Sequence, residues 1–227
     1  MLQTRYRSKF AVLSAATLLS FCSFTYELLL AQTSAAVLGG TILRYSLAVG
    51  LFLFALGLGA VWMGARPPGR ALPVLVVVEL TLSILGVASP AAILAGAGLG
   101  SGFDTLNSCF WMLIIGLLSG FELPLLMQLC DELAIPDAKL PVLAGDFAGT
   151  FLAAIAFPLA LFPVFGLFGA AAVTAAINVV IAVALTFLQP LAVNLRILTG
   201  VIALLLAGAI LLLPLLETWL THLVFGV

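Results

Sequence analysis

Apolar runs of membrane-spanning length follow one another along almost the whole chain of 227 residues. The hydrocarbon core of a bilayer is about 30 Å thick, so a helix needs roughly 20 apolar residues to cross it. Hydrophobic residues make up 64% of the chain and charged residues only 7%, which is unlike a water-soluble domain. The sequence therefore predicts an all-α polytopic membrane helix bundle, with almost no segment left for a soluble domain.

The breaks between the runs contain glycine, proline and charged residues, which end helices. They divide a single transmembrane domain, residues 1–227, into about seven predicted spans, near 10–31, 41–64, 72–98, 105–130, 141–163, 166–189 and 193–216. Pro158 and Pro163 leave a re-entrant course open for part of the fifth and sixth segments.

The basic residues between spans alternate onto one side of the bundle, and only Arg44 falls toward the other. That side carries Arg5, Arg7, Lys9, Arg66, Arg70, Lys139 and Arg196. The positive-inside rule makes it cytoplasmic, so we expect a bacterial inner-membrane protein with a cytoplasmic N-terminus. If all seven segments span, the C-terminus is external. The first apolar run has spanning length, which favours an uncleaved span over a signal peptide.

Other kinds of chemistry have little support in the sequence. The three cysteines, Cys22, Cys109 and Cys130, show no CxxC pairing, so neither a metal site nor a disulfide framework is predicted. The net charge of -1 does not indicate a basic surface for nucleic acid. We expect no cofactor, and the lipid bilayer is the first expected partner.

Four acidic residues, Glu27, Glu79, Glu122 and Asp146, fall within predicted spans, where an ionisable group costs several kcal/mol unless it is paired, solvated or protonated. At 1.5 Å per residue, Glu79, Glu122 and Asp146 lie about 8–12 Å from the inner boundary, with no Lys or Arg predicted at that depth. Glu27 and Arg44 both lie within roughly 6 Å of the outer boundary, where we expect them to form an ion pair.

Two interpretations of the inner acids remain open. In the first, each acid bonds separately to a hydroxyl, amide or backbone group and fixes helix packing. In the second, Glu79, Glu122 and Asp146 converge and share a proton or bind a small cation such as an amine. Pro124 lacks an N–H, which frees the carbonyl of Gly120 beside Glu122 and adds Gly120 to the candidate cation site. A simple kink is the alternative role for this proline.

A short internal similarity links the first and fourth spans. "FTYELLL" at 24–30 and "GFELPLL" at 120–126 both place Glu-Leu in the last third of a span. Since these two spans run in opposite directions, the match favours an inverted 3+3 repeat with one helix appended, as in many transporters.

Four segments carry a family resemblance: "SFCSFTYELLLAQTSAAVLGGTILRYSLAVGLFLFALGLGA", "VVVELTLSILG", "GLLSGFELPLL" and "LAGDFAGTFLAAIAFPLALFPVFGL". In order and spacing they resemble the N-terminal membrane domain of bacterial membrane-bound spermidine synthase-like proteins. The resemblance covers nearly the whole chain, and "LLETWLTHLVFGV" is similar to the stretch that leads into the family's synthase domain.

The resemblance implies a link to polyamines, but the catalytic part of the family is a Rossmann-like domain with a Gly-rich loop. No Gly-rich strand-to-helix motif of that kind occurs here, so we do not expect the chain to be an enzyme on its own. The expected function is binding or passage of a small amine or proton. The alternatives are a structural subunit of a larger membrane complex and the membrane partner of a soluble aminopropyltransferase.

Overall fold

A computed structural model of the chain describes residues 2–39, 41–67, 69–97, 101–188, 192–205 and 207–208. Within these residues every regular element is helical, which confirms the predicted all-α class. The helices are α1 (Leu2–Leu38), α2 (Thr41–Gly64), α3 (Ala71–Gly96), α4 (Ser101–Ser119), α5 (Glu122–Glu132), α6 (Lys139–Ala156) and α7 (Phe162–Leu185). A π-helical segment, Phe157–Leu161, joins α6 to α7, and a shorter apolar helix, α8, covers Val193–Leu205.

Several of these helices are long and apolar enough to cross a membrane, as predicted. By length and composition, five continuous stretches qualify: Ser8–Val37, Ile42–Gly64, Ala71–Gly96, Gly102–Glu132 and Lys139–Leu185. The count of seven spans and the inverted repeat stay predictions. The last predicted span, 193–216, lies partly outside the described residues.

Two predicted boundaries differ from the structure. The predicted span 105–130 occurs as α4 and α5, which are separated by a turn at Gly120 and Phe121. The predicted spans 141–163 and 166–189 form one helical stretch that is interrupted at Gly166, where φ is 66°. A positive φ is open to glycine without steric cost, so the chain can change direction there.

Helix α1 is the centre of the bundle, since it packs against every helix from α2 to α7. Gly149 of α6 lies against Thr17, and Phe157 lies farther along α1, beside Leu28. Helix α6 and the π segment therefore run parallel to α1 over much of its length.

Helix α7 then returns along α1 in the opposite direction. The thiol of Cys22 lies 3.7 Å from the carbonyl oxygen of Thr174, and Ile181 lies beside Ser14, nearer the start of α1. The reversal at Gly166 therefore separates two helices that both follow α1.

One end of the bundle gathers polar contacts between helix ends. The Glu132 carboxylate accepts a hydrogen bond of 2.9 Å from the backbone N–H of Ala71, which joins the end of α5 to the start of α3. Lys139 forms an ion pair of 2.9 Å with Asp131, and both side chains are more than half exposed. The basic residues of the two connections thus share one end, as predicted, while its assignment to the cytoplasm stays a prediction.

Candidate functional site: an acidic cavity beside the central helix

Polar side chains recur along one face of α1 at the spacing of helical turns. Ser20, Ser23 and Glu27 are three and four residues apart, so they lie one above another on the helix surface. This face meets α5 and α6, and it brings hydroxyl groups to the acids of both helices.

The hydroxyl groups of α1 fix the neighbouring acidic segments. Ser23 Oγ donates a hydrogen bond of 2.7 Å to Oε1 of Glu122, which is the first residue of α5. Ser20 Oγ donates to the backbone carbonyl of Asp146 at 2.7 Å and lies 2.8 Å from the hydroxyl of Thr150. These contacts hold α5 and α6 against the same face of α1.

A cavity of about 260 Å³ opens beside this face. Three carboxyl groups line it, those of Glu27, Glu122 and Asp146. The described residues that line it include neither Lys, Arg nor His, so no basic side chain balances the three acids. The ionisable groups of the described lining are therefore all acidic, which favours a cationic ligand or bound protons.

Two buried side chains in the cavity wall have polar atoms without a hydrogen-bond partner among the described residues. The Ser119 hydroxyl is buried and has no hydrogen-bond partner among the described residues. Glu27 is only 3% exposed, and no hydrogen bond or ion pair joins it to another described side chain. Buried polar groups are normally paired, so the Glu27 carboxyl group, which lines the cavity, is free to contact a ligand.

The structure brings together two of the three predicted inner acids. Glu122 and Asp146 line the same cavity, whereas Glu79 lies outside its lining. Glu79 is fully buried, and neither of its carboxyl oxygens has a partner among the described residues. Of the predicted trio, two acids therefore lie in the cavity lining and one lies outside it.

The predicted ion pair between Glu27 and Arg44 is not formed. Arg44 instead donates to the hydroxyl of Thr105 at 3.3 Å, while Glu27 faces the cavity. The reason is the length of α1, which continues to Leu38 instead of ending near residue 31. Glu27 consequently lies about 16 Å from the end of its helix, too deep for a residue near the start of α2.

Gly120 lies in the cavity lining, as the candidate site requires. It is also a packing residue, because a Cβ there would collide with the backbone carbonyl of Leu56 on α2. Pro124 has no N–H to offer to the Gly120 carbonyl, and the turn before α5 is closed by the Phe121 N–H, which donates to Leu118. Whether that carbonyl binds a cation stays a prediction.

Across the described part of the chain, no three His, Cys, Asp or Glu side chains are placed to hold one metal ion.

Comparison with known proteins points to the same family as the motifs. The chain is 30% identical over 175 residues to a polyamine aminopropyltransferase of Leptospira interrogans, a match that covers 77% of this chain and 35% of the relative. A polyamine aminopropyltransferase of Corynebacterium efficiens is 32% identical over 201 residues, covering 82% of this chain and 37% of the relative. The protein of the same name from Mycobacterium tuberculosis is 32% identical over 180 residues, a match that covers 76% of this chain and 34% of the relative.

The chain is related to the polyamine aminopropyltransferases. It spans about a third of the length of these curated relatives. No protein-family model matches the chain. No solved structure matches it either.

Two parts of the site were not predicted from the sequence. Glu27 was expected at the outer boundary, and no role was expected for Ser20 or Ser23. The spacing of these three residues on one face of α1 was a signal that could have placed them beside the acids of α5 and α6.

Proposed function

We propose that this chain is a membrane-spanning module that binds a small protonated amine in the cavity lined by Glu27, Glu122 and Asp146. The observation that carries the proposal is the meeting of three carboxyl groups in one cavity whose described lining has no basic residue. Glu79 is a fourth buried acid, and it lies outside the cavity lining.

The energetic argument rests on burial. Each ionised carboxylate in a membrane interior costs several kcal/mol unless a partner offsets it. A bound ammonium group supplies both a positive charge and N–H donors, which can satisfy the carboxyl oxygens together. Ser23 orients Glu122 by a hydrogen bond of 2.7 Å, so this acid is pre-positioned before a ligand binds.

The size of the cavity favours a small ligand. Its volume of about 260 Å³ lies just below the range of roughly 300–1,000 Å³ that is usual for drug-sized ligands. A short amine fits this volume, and the relatives' names, which mention polyamines, support an amine as the class of cation.

The finer features of the fold belong to this proposal as well. They are a polytopic bundle of about seven spans in a bacterial inner membrane and a cytoplasmic N-terminus. The clustering of Arg70 and Lys139 at one end of the bundle supports this orientation through the positive-inside rule.

A test of amine binding needs one variant in the cavity and one outside it. Purified chain in detergent is dialysed to equilibrium against radiolabelled n-butylamine, as the wild type, Glu122→Gln and Asp137→Asn. Glu122→Gln should weaken binding at least tenfold, since losing one partner of a buried charge pair costs about 2–5 kcal/mol. Asp137 is exposed, and Asn tolerates its φ of 52°, so Asp137→Asn should bind like the wild type.

Equal binding by the wild type and Glu122→Gln contradicts the proposal, and so does an absence of binding by the wild type. A fall in affinity that is matched by Asp137→Asn also contradicts it, because the effect would then follow net charge and not the cavity.

A second candidate function is favoured by the similarity to aminopropyltransferases. In this case the chain is the membrane part or membrane partner of such an enzyme, and its helices hold a catalytic protein at the membrane. Isolation of the chain from native membranes under mild detergent should then yield an associated aminopropyltransferase activity. Isolation with no such activity contradicts the candidate, and isolation within a large complex of other proteins favours an assembly subunit.

A further inference from the structure

We propose that the cavity takes its ligand sideways from the hydrocarbon region of the bilayer, through an opening between α2 and α6, and that the ligand is an amine with an apolar chain. This inference rests on the proposed function and names the class of amine.

The opening lies between helices that hardly touch. Helix α2 packs on α1, α4 and α5, and α6 packs on α1, α5 and the π segment, while α2 and α6 share few contacts. Leu53 of α2 and Phe147 of α6 both line the cavity, and they are 54% and 65% exposed. These two side chains therefore mark the mouth of the cavity on the outer surface of the bundle.

The mouth is far from either end of the bundle. At 1.5 Å per residue, Leu53 lies about 17 Å from both ends of α2, and Phe147 lies about 12 Å from the start of α6. With a hydrocarbon core about 30 Å thick, these positions fall inside the apolar layer of a bilayer. A ligand that enters between α2 and α6 therefore comes from lipid and not from bulk water.

The cavity has two chemically different sides. The acids come from α1, α5 and α6, whereas the wall on α2 is formed by Phe52, Leu53, Leu56 and Ala60. An ammonium group can contact Glu122 on the polar side while an alkyl chain lies along the α2 wall toward the mouth.

This geometry predicts how affinity depends on chain length. Thermal unfolding of the full chain in detergent is measured with propylamine, butylamine, pentylamine, hexylamine and butane-1,4-diamine, and each Kd is obtained from the ligand-dependent shift in Tm. The Tm shift of Glu122→Gln is subtracted from that of the wild type, which removes the part of the shift that comes from partition of the amine into the micelle. Affinity should rise roughly fourfold per added CH2, and the diamine should bind more weakly than butylamine because its second charge meets the apolar wall.

The outcomes separate this inference from the proposed function. If no amine shifts the Tm of the wild type beyond that of Glu122→Gln, the proposed function fails and the inference fails with it. If amines bind with a Kd that does not depend on chain length, or if the diamine binds best, the proposed function stands and the apolar-chain inference is overturned.

A variant at the mouth tests the route through the rate of binding. Leu53→Trp adds bulk at the opening and should lower the association rate constant of hexylamine roughly tenfold, which corresponds to about 1.4 kcal/mol added to the entry barrier. Leu58→Trp is the matched control, since Leu58 is an exposed leucine on the same helix that does not line the cavity. Equal association rates in the two variants overturn the lateral opening.

Discussion

Helices α1 and α6 pack backbone to backbone at Gly149, and replacement of this glycine by alanine should disturb both stability and the site. A Cβ at this position would collide with the backbone carbonyl of Thr17 and lie 3.0 Å from the backbone nitrogen of Phe21. Because both neighbours are backbone atoms, no side-chain rotation relieves the overlap. Helix α6 must move away from α1.

The size of the effect follows from this movement. Extra methyl groups in a close-packed interior usually cost 1–3 kcal/mol, so we expect Gly149→Ala to lower the free energy of unfolding by about 2 kcal/mol. Asp146 and Thr150 flank Gly149 and are held against Ser20, so the same shift should also weaken amine binding.

The matched control is Gly57→Ala on α2. A Cβ at Gly57 meets nothing within 4 Å, so its alanine should be neutral or stabilising by up to about 1 kcal/mol, through helix propensity. Unfolding of both variants by SDS in mixed micelles, followed by the loss of helical circular dichroism, measures the difference. If Gly149→Ala is as stable as Gly57→Ala, the close packing of α1 against α6 is refuted.

Three further predictions concern single contacts. Ser20→Ala should lower the free energy of unfolding by about 0.5–1.5 kcal/mol in the same assay, because it removes a partly buried hydrogen bond to the backbone carbonyl of Asp146. No change would contradict that bond. Lys139→Ala should lower the free energy of unfolding by less than about 1 kcal/mol, because both side chains of its ion pair are more than half exposed. High salt should remove this difference. A larger loss of stability that persists in high salt would contradict the exposed pair. Cys109 is partly exposed and should react with a membrane-permeant maleimide faster than the buried Cys22. Mass spectrometry measures the two rates of labelling, and equal rates would contradict this difference in exposure.

The helix positions were largely predictable because apolar length and helix-breaking residues act locally. The predicted span 41–64 coincides with α2 (Thr41–Gly64), and the predicted break near residue 166 falls at Gly166. Glycine and proline act on their own backbone, so a single sequence reveals them.

The end of α1 was not predictable in this way. The first span was predicted to end near residue 31, yet α1 continues through polar residues that find partners inside the bundle. Gln32 accepts a hydrogen bond from the hydroxyl of Tyr45, and Thr33 donates to the carbonyl of Leu29 at 2.7 Å. These partners lie on a neighbouring helix or one turn back, so the helix continues and Glu27 lies deeper than the sequence suggested.

The composition of the site required knowledge of which helices are neighbours. Depth counting placed Glu79, Glu122 and Asp146 in one inner layer, since all three were measured from nearby helix ends. It could not show that α1 places Glu27 in the same cavity as Glu122 and Asp146 or that Glu79 lies outside its lining, because both depend on helix rotation.

The central claim, that carboxyl groups of separate helices face one cavity, is tested most directly by chemical cross-linking. In a background whose three native cysteines are replaced by alanine, the double variant Glu122→Cys/Asp146→Cys is treated with dibromobimane, which becomes fluorescent only when it bridges two thiols. We predict strong fluorescence for this pair, and none for Glu122→Cys/Asp137→Cys, whose second position is exposed outside the cavity. A folded Glu122→Cys/Asp146→Cys protein that is not bridged, or equal fluorescence from both pairs, would contradict the shared cavity.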